Sequence, residues 1–272
     1  MRTQLKTKPG KLAVYGLALG LIAGGFWSCK NSETAGARKL EVSDVIKPSD
    51  GFELIFDGKT LGGWEFDPVY WSVQDGAITG IITPETVLKN NTFIIWKGGE
   101  PADFELKVDY WISDAGNSGV QYRSDRFIEL PFALRGYQAD IDGGNRYTGQ
   151  NYEERKRTTL AYRGQKTRIT SQPDSITETR GFVERNAWKG LNLVSELGNR
   201  DELGALIKKG EWNNIHLVIK GNVMKHYVNG TLMSEVQDDD AKNRVLKGMM
   251  GFQVHVGPPM KVQFKNIMLK KL

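Results

Sequence analysis

Three short segments carry hydrogen-bonding and ionisable side chains at two-residue intervals, the spacing that gathers them on one side of a β-strand. In Asn117-Ser118-Gly119-Val120-Gln121-Tyr122-Arg123-Ser124 the period sets Gln121 and Arg123 opposite Val120 and Tyr122. In Gly136-Tyr137-Gln138-Ala139-Asp140-Ile141-Asp142 it groups Gln138, Asp140 and Asp142 opposite Ala139 and Ile141. In Gly251-Phe252-Gln253-Val254-His255-Val256-Gly257 it aligns Gln253 with His255. A solvated sheet face needs only polarity and favours lysine, glutamate and threonine, whereas glutamines, an arginine, paired aspartates and a histidine suit directed hydrogen bonds to a polyhydroxylated ligand. Asp140 and Asp142 stand about 7 Å apart along their strand. Such a pair can hold a divalent metal with His255 as a third ligand, or raise one member's pKa until it carries protons near neutrality. Glu153 is a further acid candidate, on a segment able to close over the groove; the competing reading is a salt bridge with a neighbouring arginine. His216 and His226 are expected to be structural or solvated.

The elements that position these groups are short alternating runs, among them Phe93-Ile94-Ile95-Trp96, Phe104 to Trp111, Ile215 to Ile219 and Val262 to Ile267. They are punctuated by Asp57-Gly58, Asp75-Gly76, Lys220-Gly221-Asn222 and Asn229-Gly230, which are turn signals. Many short strands spaced by such turns predict an all-β, two-sheet antiparallel sandwich or jelly roll. The only helical pattern is Arg200 to Lys209, with Gly210 to end it, inside a charged, poorly periodic insertion from Arg155 to Asn199 and beyond. The chain of 272 residues is long enough for a full core, and its 31 glycines follow no collagen period.

Arg2, Lys6, Lys8 and Lys11 supply four of the 37 basic residues and precede an uncharged run from Leu12 to Cys29, which is the organisation of an export signal over residues 1–28. Residues 29–272 then hold 33 basic against 32 acidic groups. That balance argues against a nucleic-acid partner. Cys29, the sole cysteine, sits where a bacterial lipobox would be acylated, so a lipid anchor in the cell envelope is expected. Residues 29–50 lack apolar periodicity and are expected to be a tether to a single domain over 51–272.

At these same residues the chain resembles the 3-keto-disaccharide hydrolase family. The resemblance runs through Phe56-Asp57-Gly58-Lys59-Thr60-Leu61-Gly62-Gly63-Trp64, Asn117 to Arg123, Gly136 to Asp142 and Tyr147-Thr148-Gly149, and it closes on His255-Val256-Gly257-Pro258-Pro259-Met260-Lys261-Val262-Gln263-Phe264-Lys265-Asn266-Ile267. Arg155-Lys156-Arg157 departs from the usual pattern, which has a glycine between the arginines. The resemblance implies a concanavalin A-like jelly roll with a carbohydrate groove. It also implies cleavage of 3-keto-glycosides, in which a base removes the carbon 2 proton, the enolate expels the carbon 1 substituent and water adds. In that scheme Asp140 or His255 is the base, with Glu153 as a further acid. Gln121 and Arg123 bind the sugar or stabilise the enolate, Gln138 and Gln253 bind, and Asp142 orients a partner or holds a cation. Two alternatives stay open: a conventional glycosidase with two carboxylates about 5 to 9.5 Å apart, and a carbohydrate-binding lipoprotein without chemistry. No Glu-x-Asp-x-Glu strand supports the first.

Overall fold

A computed structural model describes residues 50–172 and 188–272. The export signal, Cys29 and all but the last residue of the expected tether lie outside the described residues, as does part of the insertion. Among the described residues no helix is long and apolar enough to cross a membrane.

Among the described residues, seventeen strands form two sheets. The first is ordered β12 (Leu191–Glu196), β11 (Gln165–Ile169), β15 (Thr231–Asp238), β14 (Val223–Val228), β13 (Asn213–Lys220), β6 (Phe104–Ile112), β17 (Met260–Lys271), β4 (Ala77–Ile82) and β3 (Trp71–Gln74), with β1 (Glu53–Leu54) also paired to β17. The second is ordered β10 (Thr158–Ala161), β9 (Asn151–Glu154), β8 (Leu134–Asp142), β7 (Asn117–Arg126), β16 (Met249–Val254), β5 (Thr92–Trp96) and β2 (Trp64–Glu65). All described pairings are antiparallel except that of β11 with β15. The architecture is the expected two-sheet sandwich of jelly-roll type.

The alternation that predicts the strands also decides what they bury. In β6, Phe104, Leu106, Val108, Tyr110 and Ile112 enter the core while Glu105, Lys107 and Asp109 do not. The second sheet differs, because β7 and β8 are buried almost throughout. One face sends Val120, Tyr122, Tyr137, Ala139 and Ile141 into the main core. The other carries a small separate cluster of Phe93, Ile95 and Leu134, with Met249 packed on it, together with the polar residues described below. Asn229-Gly230 and Asp75-Gly76 have positive φ at both positions, the conformation a two-residue hairpin turn requires.

The helical pattern yields a shorter helix than anticipated. α1 spans Arg200–Ala205, with the Asn199 side chain accepting from the amides of Asp201 and Glu202, and it ends at Leu206 rather than Gly210. The described part of the insertion is also more regular than its composition suggests, since β10, β11 and β12 extend both sheets. β10 is buried along its whole length, with Leu160 and Ala161 in the main core, while Arg157 just before it meets charged groups.

Those groups form a buried ionic cluster. Arg157 reaches Glu153 at 2.6 Å, Asp238 at 2.6 Å and Asp240 at 3.2 Å. Tyr137 donates to Asp238, and Ser171 and Asn243 donate to Asp240. A second polar link between the sheets joins Tyr122 to His226 at 2.8 Å, and burial pushes the His226 pKa down to about 4, so it is neutral. Burial pushes the Asp240 carboxyl up, but hydrogen bonds from Ser171 and Asn243 and the charge of Arg157 outweigh it and hold the pKa below the usual value. The stabilisation from Asp240 is therefore present above about pH 4 and lost on acidification. Arg157→Met would strand three buried carboxylates and is expected to lower the unfolding free energy by about 3–5 kcal/mol. Urea unfolding at pH 7 measures this, and a loss under about 1 kcal/mol would show that the cluster does not bear on stability.

Candidate functional site

The site is built on the pairing of β7 with β8, which sets Gly119 opposite Asp140 and Gln121 opposite Gln138. Continuing across the sheet, Gly251 pairs with Gln121 on one side and Tyr152 with Gln138 on the other. Because Phe252, Val120, Ala139 and Tyr137 face the main core, the residues between them in each strand, namely Gln253, Gln121, Asp140 and Gln138, share the opposite face. All four are buried.

Asp140 is the centre of this face. Its Oδ1 accepts from Gln138 Nε2 at 2.7 Å and its Oδ2 accepts from Gln150 Nε2 at 2.6 Å. Gln138 reaches it across Gly119, where an added Cβ would lie 2.4 Å from the Gln138 side chain; the glycine is required because a side chain passes over it. Burial pushes the Asp140 carboxyl up to about 7; the two glutamine hydrogen bonds oppose the shift, and the charges of Glu154 and Asp142 add to it. A carboxyl poised at that value exchanges protons readily at neutral pH.

The remaining amides on this face are only partly used. Gln121 Nε2 donates to Gly136 O at 3.1 Å, while its Oε1 has no partner. Gln138 and Gln150 each have an unpartnered Oε1, and both ends of the Gln253 amide are unpartnered. Buried polar atoms without partners are rare, and each costs about 1–3 kcal/mol. Their concentration around one carboxyl leaves hydrogen-bonding capacity that the protein itself does not use.

The structure brings Gln121, Gln138, Asp140 and Gln253 together and sends the other anticipated residues elsewhere. Arg123 does not follow Gln121. The ladder slips between Tyr122 and Asp125, and Arg123 adopts φ +43°, a bulge that reverses its facing. Its guanidinium donates to Ala102 O, Gly221 O and Asp103 Oδ1 at 2.7–2.9 Å, on the first sheet's side. Asp142 organises the loop after β8, accepting from the backbone amides of Arg146, Tyr147 and Thr148 at 2.7–3.0 Å. Glu153, expected on a closing loop, is fixed in β9 on the core side by Arg157; the salt-bridge reading is the one observed. His255 lies one residue past β16 and is partly exposed. Its backbone N–H donates to Asn117 O, and its Nδ1 lies 2.6 Å from Val256 O, so Nδ1 carries a proton. Among the described residues no three His, Cys, Asp or Glu side chains gather as metal ligands, and the grouping of Asp140, Asp142 and His255 does not form.

Three contributors were missed. Gln150 lies ten residues from Asp140, and only the hairpin register reveals that it reaches back. Glu154 accepts from Asn91 Nδ2 at 3.0 Å, and Asn91 Oδ1 accepts from Val256 N at 2.9 Å, so Asn91 ties β9 to the segment after β16. No local signal marks Asn91.

The arrangement is a buried carboxyl held by two glutamines, with partly unused amides beside it, on one sheet face of a jelly roll. The chain belongs to the family of 3-keto-alpha-glucoside-1,2-lyase-like domains, whose profile matches residues 51–270. It is 30% identical over 139 residues to a 3-keto-disaccharide hydrolase of Bacteroides thetaiotaomicron, a match covering 41% of this chain and 48% of that protein. The match thus spans about half the length of that relative. Two crystal structures of candidate glycosyl hydrolases from Parabacteroides distasonis share the fold. One has a TM-score of 0.51 and 23% identity, covering 82% of this chain and 94% of its own. The other has a TM-score of 0.50 and 18% identity, covering 82% and 100%.

The raised pKa of Asp140 has a stability signature. The folded state holds its proton up to about pH 7, whereas the unfolded chain releases it near pH 4, so wild-type stability falls as pH rises through that window. Asp140→Asn removes the titration, and the variant should gain on wild type between pH 5 and pH 8. Denaturant unfolding of both proteins at the two pH values reads the difference; an unchanged gap would mean the carboxyl is not held protonated by burial.

Proposed function

We propose that the protein cleaves 3-keto-glycosides by proton abstraction at carbon 2, elimination of the carbon 1 substituent and hydration of the enone. The observation that carries this reading is the Asp140 carboxyl, oriented by Gln138 and Gln150 with its pKa raised to about 7. The name of the curated relative and the description of the family, one a hydrolase and the other a lyase, support it, because both outcomes share the elimination.

A ketone at carbon 3 acidifies the proton on carbon 2. The Asp140 carboxylate takes that proton, and the C–H electron pair becomes the C2=C3 bond of an enolate with its charge on the carbon 3 oxygen. As the ketone re-forms, the pair moves to C1=C2 and the C1–O bond breaks, its electrons leaving with the departing oxygen, which takes up a proton. Addition of water, with hydroxyl to carbon 1 and proton to carbon 2, completes net hydrolysis. His255 is the weaker choice for the base, since it is partly exposed and one of its nitrogens is committed to Val256 O. Glu154, whose charge reaches Asp140, is the observation that would serve a conventional two-carboxylate glycosidase instead. The proposal further places the protein in the cell envelope, lipid-anchored at Cys29, on the strength of the basic head and uncharged run that precede it.

Incubation with a glucoside and with its 3-keto form separates the readings. Only the keto sugar is expected to be cleaved, with kcat/KM rising with pH to a break at about 7. Asp140→Asn should lower turnover by about 10²–10⁴-fold. Cleavage of both sugars, or undiminished turnover by Asp140→Asn, would overturn the proposal.

A further inference from the structure

Asn91 lines an open cleft of about 230 Å³ between two connections, residues 83–91 leading into β5 and residues 127–133 leading into β8. The lining is largely apolar, with Tyr70, Val87 and Leu88 joined by Leu130, Pro131 and Phe132. Val87 leaves 72% of its surface in water, so the lining holds apolar area that a ligand can cover. The polar groups here are few, and they are already bonded or exposed. Asn91 is bonded at both ends of its amide, Asp67 accepts from Val69 N at 3.0 Å, and the Tyr70 hydroxyl donates to Val87 O at 3.4 Å. Lys89 and Asn90 are exposed, where water competes for them. Asp67 and Lys89 carry opposite charges, so the cleft selects neither sign.

We infer that this cleft receives the carbon 1 substituent of the substrate, and that the substituent it fits is a neutral aromatic alcohol rather than a second sugar. The inference rests on the elimination reading and names the leaving group within it. Asp140 itself lies outside the cleft, and two ties join them. Asn91, nine-tenths buried, donates to Glu154 at 3.0 Å, and the Glu154 charge acts on Asp140. The 127–133 connection leads to the same carboxylate. Phe132 O accepts from Phe93 N at 2.9 Å beside the cleft, and the Phe127 ring lies under the Arg155 guanidinium, whose Nε is 3.7 Å from Glu154. A sugar whose carbon 2 meets Asp140 thus directs its carbon 1 oxygen past Glu154 and Asn91 when the substituent occupies the cleft. An apolar cavity of about 150 Å³ holds benzene, so one aromatic ring with its linking carbon fits here. A second sugar would bring several hydroxyls to a lining that answers few of them. In the elimination the C1–O bond breaks and its electrons leave with the oxygen of the aromatic alcohol, which takes up a proton.

Benzyl alcohol and methanol are similar in acidity, so benzyl and methyl 3-keto-glucosides of one anomer differ mainly in what the carbon 1 substituent touches. The test measures kcat/KM for both, and for a 3-keto-disaccharide, in wild type, Leu130→Asp and Val87→Asp, with thermal unfolding of each variant. Binding of the benzyl and methyl keto sugars to Asp140→Asn, with and without the cleft substitutions, reads the contact without chemistry. Wild type is expected to prefer benzyl to methyl by about 10–100-fold, the effect of burying one aromatic ring, and to prefer benzyl to the disaccharide. Either aspartate should cut the benzyl-to-methyl ratio at least about fivefold, in turnover and in binding, whatever factor both substrates lose together. Val87 is exposed, so Val87→Asp carries the test if Leu130→Asp does not fold. A wild-type ratio below about threefold, a ratio unmoved by the aspartates, or a disaccharide preferred to benzyl would overturn the leaving-group assignment while leaving the elimination intact. Wild-type protein that cleaves no 3-keto-glycoside would instead remove the reading on which it rests.

Discussion

The site depends on a carboxyl taken out of water on a sheet face where its nearest companions are amides and other carboxylates. Burial alone would drive Asp140 to stay protonated, and full pairing with a cation would hold it ionised. Two glutamine donors lie between these limits, since they stabilise the anion without neutralising it. The result is a group balanced between its two forms at about pH 7. The bulge after Tyr122 is part of the same arrangement. It turns Arg123 away to Asp103 and two backbone carbonyls, so the cation that strict alternation would have placed in the neighbourhood is absent from the face of Gln121.

The rest of the fold supports that balance by making the second sheet rigid from its core side. Tyr122 and Tyr137 stack at 5.6 Å, and their hydroxyls are anchored to His226 and Asp238 of the opposite sheet. The Arg157 cluster ties Glu153 at the end of β9 to Asp238 and Asp240, and β9 continues the hairpin from which Gln150 reaches Asp140. Errors in the packing of one face would thus be felt on the other, since β7, β8 and β9 carry core residues and site residues alternately. Asn91 adds a tie outside the ladder, joining Glu154 to the chain beyond β16.

Much of this was legible in the chain itself. Period-two alternation places Gln121, Gln138, Asp140 and Gln253 on common faces, and turn dipeptides such as Asn229-Gly230 mark hairpins that form as predicted. What escaped has physical causes. A bulge adds no signature to the sequence and reverses every facing beyond it, so Arg123 was assigned to the wrong side. Alternation places a side chain but does not say what it will bond. Asp142 was spent on three backbone amides of its own loop, and Glu153 on Arg157. His255 fell outside its strand by one residue. Gln150, Glu154 and Asn91 depend on contacts between segments distant in sequence, which register and loop course determine and local pattern does not. The irregular composition of the insertion hid three strands because part of their surroundings is ionic.

The most direct test is the titration of Asp140 itself, followed by the carboxyl carbon resonance of selectively ¹³C-labelled aspartate, with Asp140→Asn supplying the assignment. A midpoint at about 7 is expected, moving when Gln138 or Gln150 is replaced by leucine. A midpoint near 4, indifferent to either glutamine, would contradict the idea of a carboxyl suspended between burial and two amides.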